Sequence, residues 1–249
     1  MAFAWHRKLE ANAVVFFILA FLAVTVGGAV LLIPPYFLAG TIEPVGGMKP
    51  YSALELEGRD IYVREGCNTC HSQQVRPFKS ETDRYGAYSR AGEGVYDRPF
   101  LWGSRRTGPD LARVGGKYPD SWHWLHFQNP RDIEPRSNMP AFRFLSERAL
   151  DLSTASRKLD VLRGLGTPYS DAEIAGAETD ARAQSAEVAA SLRTAGVPLD
   201  ELQAQSETIA LIAYLQTLGS ALKANPPKQV QLAPAAALAE AAAPGEEGR

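Results

Sequence analysis

The sequence predicts a mainly α-helical protein in which one N-terminal transmembrane helix anchors an exported helical domain with helical insertions. Three observations predict it: an uncharged apolar run over residues 11–33 and two capped amphipathic patterns, over residues 52–64 and 206–218. The first is long enough to cross a bilayer, and the other two repeat apolar residues at the 3.6-residue period of a helix. With 249 residues and 45% hydrophobic side chains, the chain has material for one good core plus appendages. A formal net charge of −2 offers no basic face for a nucleic acid, which is excluded as a partner.

The run from Ala11 to Ile33 carries no charge and ends at Pro34-Pro35. It exceeds the roughly 20 residues a spanning helix needs. A cleaved signal peptide has a shorter apolar core, about 7–15 residues, and a small-x-small cleavage site, which this segment fits poorly. Arg7 and Lys8 precede the span, so the N-terminus is expected in the cytoplasm and the rest outside, in the periplasm of a bacterial inner membrane. Membrane lipid is therefore one partner. Residues 1–35 form the cytoplasmic stub and anchor, 36–51 a linker with Pro44, Gly46, Gly47 and Pro50, and 52–222 the exported domain. An Ala- and Pro-rich tail over 223–249 reads as disordered.

Ser52 and Glu55 form a capping box that opens a helix through about Arg64, with Leu54, Gly58, Ile61 and Tyr62 on one face. A second helix runs from Ser206 to Leu218, with Ile209, Leu211, Ile212, Leu215 and Leu218 apolar and Gly219 as its stop. A glycine admits close approach of another helix, so Gly58 is expected against the Tyr214/Leu215 region.

Between these helices lies Cys67-Asn68-Thr69-Cys70-His71, which holds the chain's only two cysteines. Two thiols three positions apart can add to the two vinyl groups of one heme, and the adjacent imidazole is then placed to bind its iron. A zinc site needs four ligands and finds no second Cys/His pair at finger spacing. A thioredoxin-like dithiol needs a βαβ context, which is not visible, and a small disulfide loop is the plain alternative. One covalently bound heme c, attached through Cys67 and Cys70 with His71 on the iron, is the expected cofactor. An oxidising exported compartment suits it.

The second iron ligand is argued from scarcity. Met1 is the initiator and Met48 precedes the domain, so Met139, in Ser137-Asn138-Met139-Pro140, is the one plausible thioether. Pro135 and Pro140 keep that stretch extended. His123 and His126, at helical i,i+3 spacing between Pro119 and Pro130, compete for the role and read otherwise as packed or partner-facing residues. Pro109, in the Gly108-Pro109 turn, has a carbonyl free to meet the second nitrogen of His71 and fix its tautomer. Arg76, with Arg105 and Arg106, is a candidate for heme propionates or an acidic partner. With His71 and Met139 both bound, the iron has no vacant position and electron transfer replaces substrate chemistry.

Two insertions lengthen this plan. Residues 72–107, with Tyr85, Gly86, Tyr88, Gly92, Gly94 and Tyr96, read as a loop or short hairpin over the heme edge or a partner. Residues 152–204 contain a second capping box, Ser170 and Glu173, and an Ala/Glu/Arg-rich helix to about Arg193. Its alanine face is weak, so it is expected to dock on a neighbouring subunit.

The series Gly58-x-x-x-Tyr62, Cys67-Asn-Thr-Cys-His71, Gly108-Pro-Asp-Leu111, Asn138-Met139-Pro140 and Leu211-Ile-Ala-Tyr214-Leu215 resembles the ordered motif set of class I cytochromes c. More narrowly, the anchor, the Ser72-Gln-Gln-Val-Arg76-Pro-Phe78 continuation, Gly108 to Gly116 and His126 to Arg131 resemble the mono-heme second subunit of cbb3-type cytochrome c oxidases, up to about Leu222. That resemblance implies a non-catalytic relay within an oxygen-reducing complex. Electrons would pass from a di-heme cytochrome c subunit, or a soluble cytochrome c, to the heme-copper catalytic subunit. Rival readings are the cytochrome c subunit of a nitric oxide reductase, a heme sensor or enzyme with an open site, and a free-standing anchored shuttle.

Overall fold

A computed structural model describes residues 2–37 and 42–224, which divide into two units, residues 1–43 and 44–249. The expected disorder of the tail from Asn225 onward, and part of the linker, lie outside the described residues.

In the first unit, α1 (Ala2–Ala11) is followed by α2 (Ala13–Phe37). Asn12 separates them, and its side-chain oxygen accepts from the Val15 amide at 3.2 Å, capping the start of α2. Residues Ala13–Pro34 have a mean hydropathy of 2.7 and bury nothing inside the protein. Phe17, Val24 and Leu31 are among the bare apolar side chains. A helix of that length rises about 33 Å at 1.5 Å per residue, matching a hydrocarbon core of about 30 Å. The helix does not stop at Pro34-Pro35 as the sequence suggested; it runs on to Phe37. Each proline removes a bond to the carbonyl four residues back, a loss confined here to the last turn.

The second unit contains α3 (Ala53–Arg64), α4 (Cys67–Cys70), α5 (Lys79–Tyr85), α6 (Asp120–Gln128), α7 (Ala155–Gly164), α8 (Asp171–Thr194), α9 (Glu207–Thr217) and α10 (Ser220–Ala224). Four short 3-10 turns punctuate them, and among the described residues no strand forms beyond one isolated bridge between Ala149 and Ser206. The expected capping box is present: Ser52 Oγ accepts from the Glu55 amide at 3.2 Å and Glu55 Oε2 accepts from the Ser52 amide at 2.8 Å. The central pair is α3 on α9, whose residues Thr208–Leu215 are all buried. Gly58 makes the crossing possible. A Cβ there would lie 1.9 Å from the Ala210 carbonyl oxygen and 2.8 Å from Tyr214 Cβ. Beside it the Tyr214 ring stands 5.4 Å from Tyr62 and 5.7 Å from Tyr51, so aromatic edges fill what the glycine leaves.

Helix α8 departs from expectation. Its alanine face does not wait for a neighbouring subunit but closes on the domain's own core, against α3, α7 and α9. Ala177, Ala181, Ser185, Ala189 and Leu192 are buried along one stripe. Small side chains present little area each, yet they let helices approach closely, and polar bonds then lock the fit. Ser52 Oγ donates to Gln184 Oε1 at 2.7 Å, and Ser185 Oγ to the Ala204 carbonyl at 3.2 Å.

The region between His71 and Gly108 forms α5 and a 3-10 turn at Ala91–Glu93 where a hairpin was one expectation. Ion pairs tie it to the domain, Arg59 to Asp97 at 3.1 Å and Arg113 to Glu93 at 2.6 Å, and Arg106 pairs with Glu81 at 2.7 Å within it. The Gly115 turn is pressed against the end of α9, where a Cβ would meet the Gln216 carbonyl oxygen at 2.3 Å.

Gly58→Ala should destabilise the domain by about 3 kcal/mol, the upper end for overpacking a core. Gly164→Ala, in open space at the end of α7, should change it by less than about 1 kcal/mol. Thermal or denaturant melts of the two variants check this; equal midpoints would contradict the crossing.

Candidate heme site

Helix α3 ends at Arg64, Glu65 caps it, and Gly66 turns the chain with a left-handed φ of +72°, a conformation that costs glycine little. The single turn α4 follows. The His71 amide donates back to the Cys67 carbonyl at 2.9 Å and Thr69 Oγ1 to the Gly66 carbonyl at 2.7 Å. Positions three apart on a helical turn face the same side, so both thiols do. Neither is in a disulfide. Cys67 is half-buried and Cys70 exposed. Burial, then the Glu65 and Cys70 charges, push the Cys67 thiol up to about 12.

His71 leaves the turn in extended conformation, and its Nδ1 lies 2.8 Å from the Pro109 carbonyl oxygen. A carbonyl only accepts, so Nδ1 carries the proton and Nε2 keeps its lone pair. The ring rests flat on Gly108, where any Cβ would fall 2.3 Å from His71 Cε1. The Gly108 amide donates to the Cys70 carbonyl at 3.0 Å and the Leu111 amide to the Ser72 carbonyl at 2.9 Å. Thus the turn at 108–111 is stitched along the strand-like exit of the cysteine motif.

Met139 sits between the 3-10 turns Pro130–Asp132 and Arg143–Ser146, half-buried against the same core that Cys67 packs on. Its amide donates to Ser137 Oγ at 3.2 Å. His123 is buried on α6, whereas His126 is half-buried with its ring stacked on Trp122 at 4.6 Å. Burial, and next the nearby His71, lower the pKa of His126. His123 Nε2 and His126 Nδ1 have no hydrogen-bond partner. Arg76 pairs with Glu81 and lies over the Phe78 ring, while Arg105 is exposed. Arg106 turns inward to Ser72, Gln74, Glu81 and Asp110. Hydrogen bonding from Arg106 outweighs the opposing effect of burial and, with a further bond from Arg76, holds the Glu81 carboxyl down at about 2.

Among the described residues no group of three His, Cys, Asp or Glu side chains could cage a metal ion by itself. A comparison with family models matches residues 6–222 to the cytochrome c oxidase mono-heme subunit, FixO. The chain belongs to that family. It is a cytochrome c oxidase subunit with one heme, works in electron transport, and is anchored in the membrane by α2. No curated protein matches the chain.

The residues present fit the heme that the FixO family carries. Two unpaired thiols share one turn, one imidazole nitrogen is left as a lone-pair donor, and a glycine takes the face where a side chain would displace that ring. The structure brings Cys67, Cys70, His71 and Pro109 together, and commits Arg76 to Glu81. Asp110 went unread in the sequence. The signal was a lone acid inside the otherwise apolar Pro109-x-Leu111 step.

Burial, reinforced by His126 and opposed by Asp120, holds His123 down at about 4. An unfolded imidazole titrates near 6.5, so the stability that the neutral buried ring contributes is complete above about pH 6.5 and is lost as pH falls toward 4. The loss should approach ~3 kcal/mol, and a His123→Gln variant should lack it. Denaturant midpoints of both proteins between pH 4 and 7 check this; parallel curves would contradict it.

Proposed function

We propose that the chain holds one heme c covalently through Cys67 and Cys70, with His71 and Met139 holding its iron, and relays electrons within a cbb3-type oxidase. The observation that carries the reading is the His71–Pro109 bond, which leaves Nε2 alone available to a metal. Bound heme supplies a one-electron ferric/ferrous couple, whose potential a thioether ligand and burial raise. With His71 and Met139 both holding the iron, the heme would offer oxygen no place to bind, and oxygen reduction would fall to the heme-copper catalytic subunit. The donor is a di-heme cytochrome c subunit or a soluble cytochrome c. Arg7 and Lys8 before the apolar run support an N-terminus in the cytoplasm and a heme domain in the periplasm. The short protein side of the task is therefore to bind, orient and tune.

His126 supports a second ligand assignment, because it lies near His71 and its Nδ1 is unpartnered. Met139→Ala decides between the two. With Met139 as ligand, the variant keeps its heme, binds carbon monoxide in the reduced state and loses potential. With His126 as ligand, the spectrum, the potential and indifference to carbon monoxide all persist. Ready carbon monoxide binding by the unaltered protein would instead favour an open-site sensor or enzyme.

Cys67→Ser combined with Cys70→Ser should abolish heme that survives a denaturing gel. A persistent heme-linked peroxidase signal from the double variant would overturn covalent attachment at these thiols.

A further inference from the structure

Asp110, the residue after Pro109, has a side chain with 0% exposure. Its carboxylate accepts from Ser72 Oγ at 2.6 Å, the Gln74 amide at 2.8 Å, the Ala112 amide at 2.9 Å and Arg106 Nη2 at 3.4 Å. An enclosed carboxylate costs several kcal/mol unless its lone pairs are met, and here all four partners are donors. A neutral amide of the same shape would set N–H against N–H. Ser72 is the hinge of the arrangement: its hydroxyl donates to Asp110 and accepts from Arg106 Nε at 2.6 Å. Arg106 continues to the Gln74 carbonyl and to Glu81, at 2.6 and 2.7 Å. The donors come from the segment leaving His71 and from the loop carrying Pro109, the two pieces whose register puts the Pro109 carbonyl on His71 Nδ1.

We propose that Asp110, acting with Ser72 and Arg106, is a positioning residue for the iron-binding histidine and sets the reduction potential of the heme; this rests on His71 being the ligand. A firm bond from Nδ1–H to a carbonyl makes the imidazole a stronger electron donor, which favours the ferric state. Loosening the Pro109 loop weakens that donation, and removing a buried negative charge disfavours ferric iron as well. Both effects of Asp110→Asn raise the potential. Ser72→Ala leaves the charge in place and removes only the tether.

The test uses the heme-loaded full chain in detergent, as wild type, Asp110→Asn and Ser72→Ala. Spectroelectrochemical titration gives the potential, and NMR hydrogen exchange of the His71 ring N–H reports the bond to Pro109. For Asp110→Asn we expect at least a tenfold change in the ferric/ferrous equilibrium toward ferrous iron, an upward shift of about 59 mV for one electron. Ring N–H exchange should accelerate at least tenfold. Ser72→Ala should move both in the same direction by less. Unchanged potential and exchange in Ser72→Ala, or a lowered potential in either variant, would overturn the proposal, and Ser72→Ala alone decides if Asp110→Asn does not mature. Carbon monoxide binding by the wild type would refute the relay reading separately, since it tests the sixth ligand and leaves the His71 side untouched.

Discussion

The crossing of α3 and α9 at Gly58 is the constraint on which the domain depends. Because the Ala210 carbonyl lies where a Cβ would be, the two helix axes are closer than any other residue would allow. That closeness fixes the end of α3, and two residues later the chain begins the cysteine turn. The far end of α9 receives the Gly115 turn, on which the loop bearing Pro109 comes to rest. One helix pair thereby holds both the segment that presents His71 and the loop that orients it. The cysteine motif itself is a single turn with no buried residue of its own, so its geometry is borrowed from this packing.

A polar layer complements the apolar one. Backbone bonds from Gly108 and Leu111 align the two segments, while Asp110, Arg106 and Glu81 join them through charge. Such enclosed pairs are poor sources of net stability, because desolvation offsets most of the attraction. Their usefulness lies in direction. A saturated carboxylate has a narrow choice of positions, whereas apolar packing tolerates small slides.

Local chemistry was legible in the residues. Ser52 with Glu55 and Ser170 with Glu173 marked helix starts because a capping box is decided within four positions. Gly58 against α9 was legible because an amphipathic face with a glycine at its middle asks for close approach. What stayed hidden was nonlocal. The α8 stripe of alanines carries little hydrophobic signal, and only the complementary shape of α3 and α7 explains where it goes. Helix α5 was obscured by the glycine- and tyrosine-rich stretch that follows it, which suggested turns and strands. The role of Asp110 depends on donors at Ser72, Gln74 and Arg106, whose convergence no short-range pattern records.

The bare apolar surface of α2 also sets the kinetics of encounter. A chain held to a bilayer by such a helix moves in the plane of the membrane rather than through the surrounding volume. Other oxidase subunits in the same membrane then meet it by a search in two dimensions rather than three. Under such confinement a contact needs little affinity to be frequent, and weak contacts separate fast. A membrane helix thus lessens how tightly the rest of the chain needs to bind its neighbours.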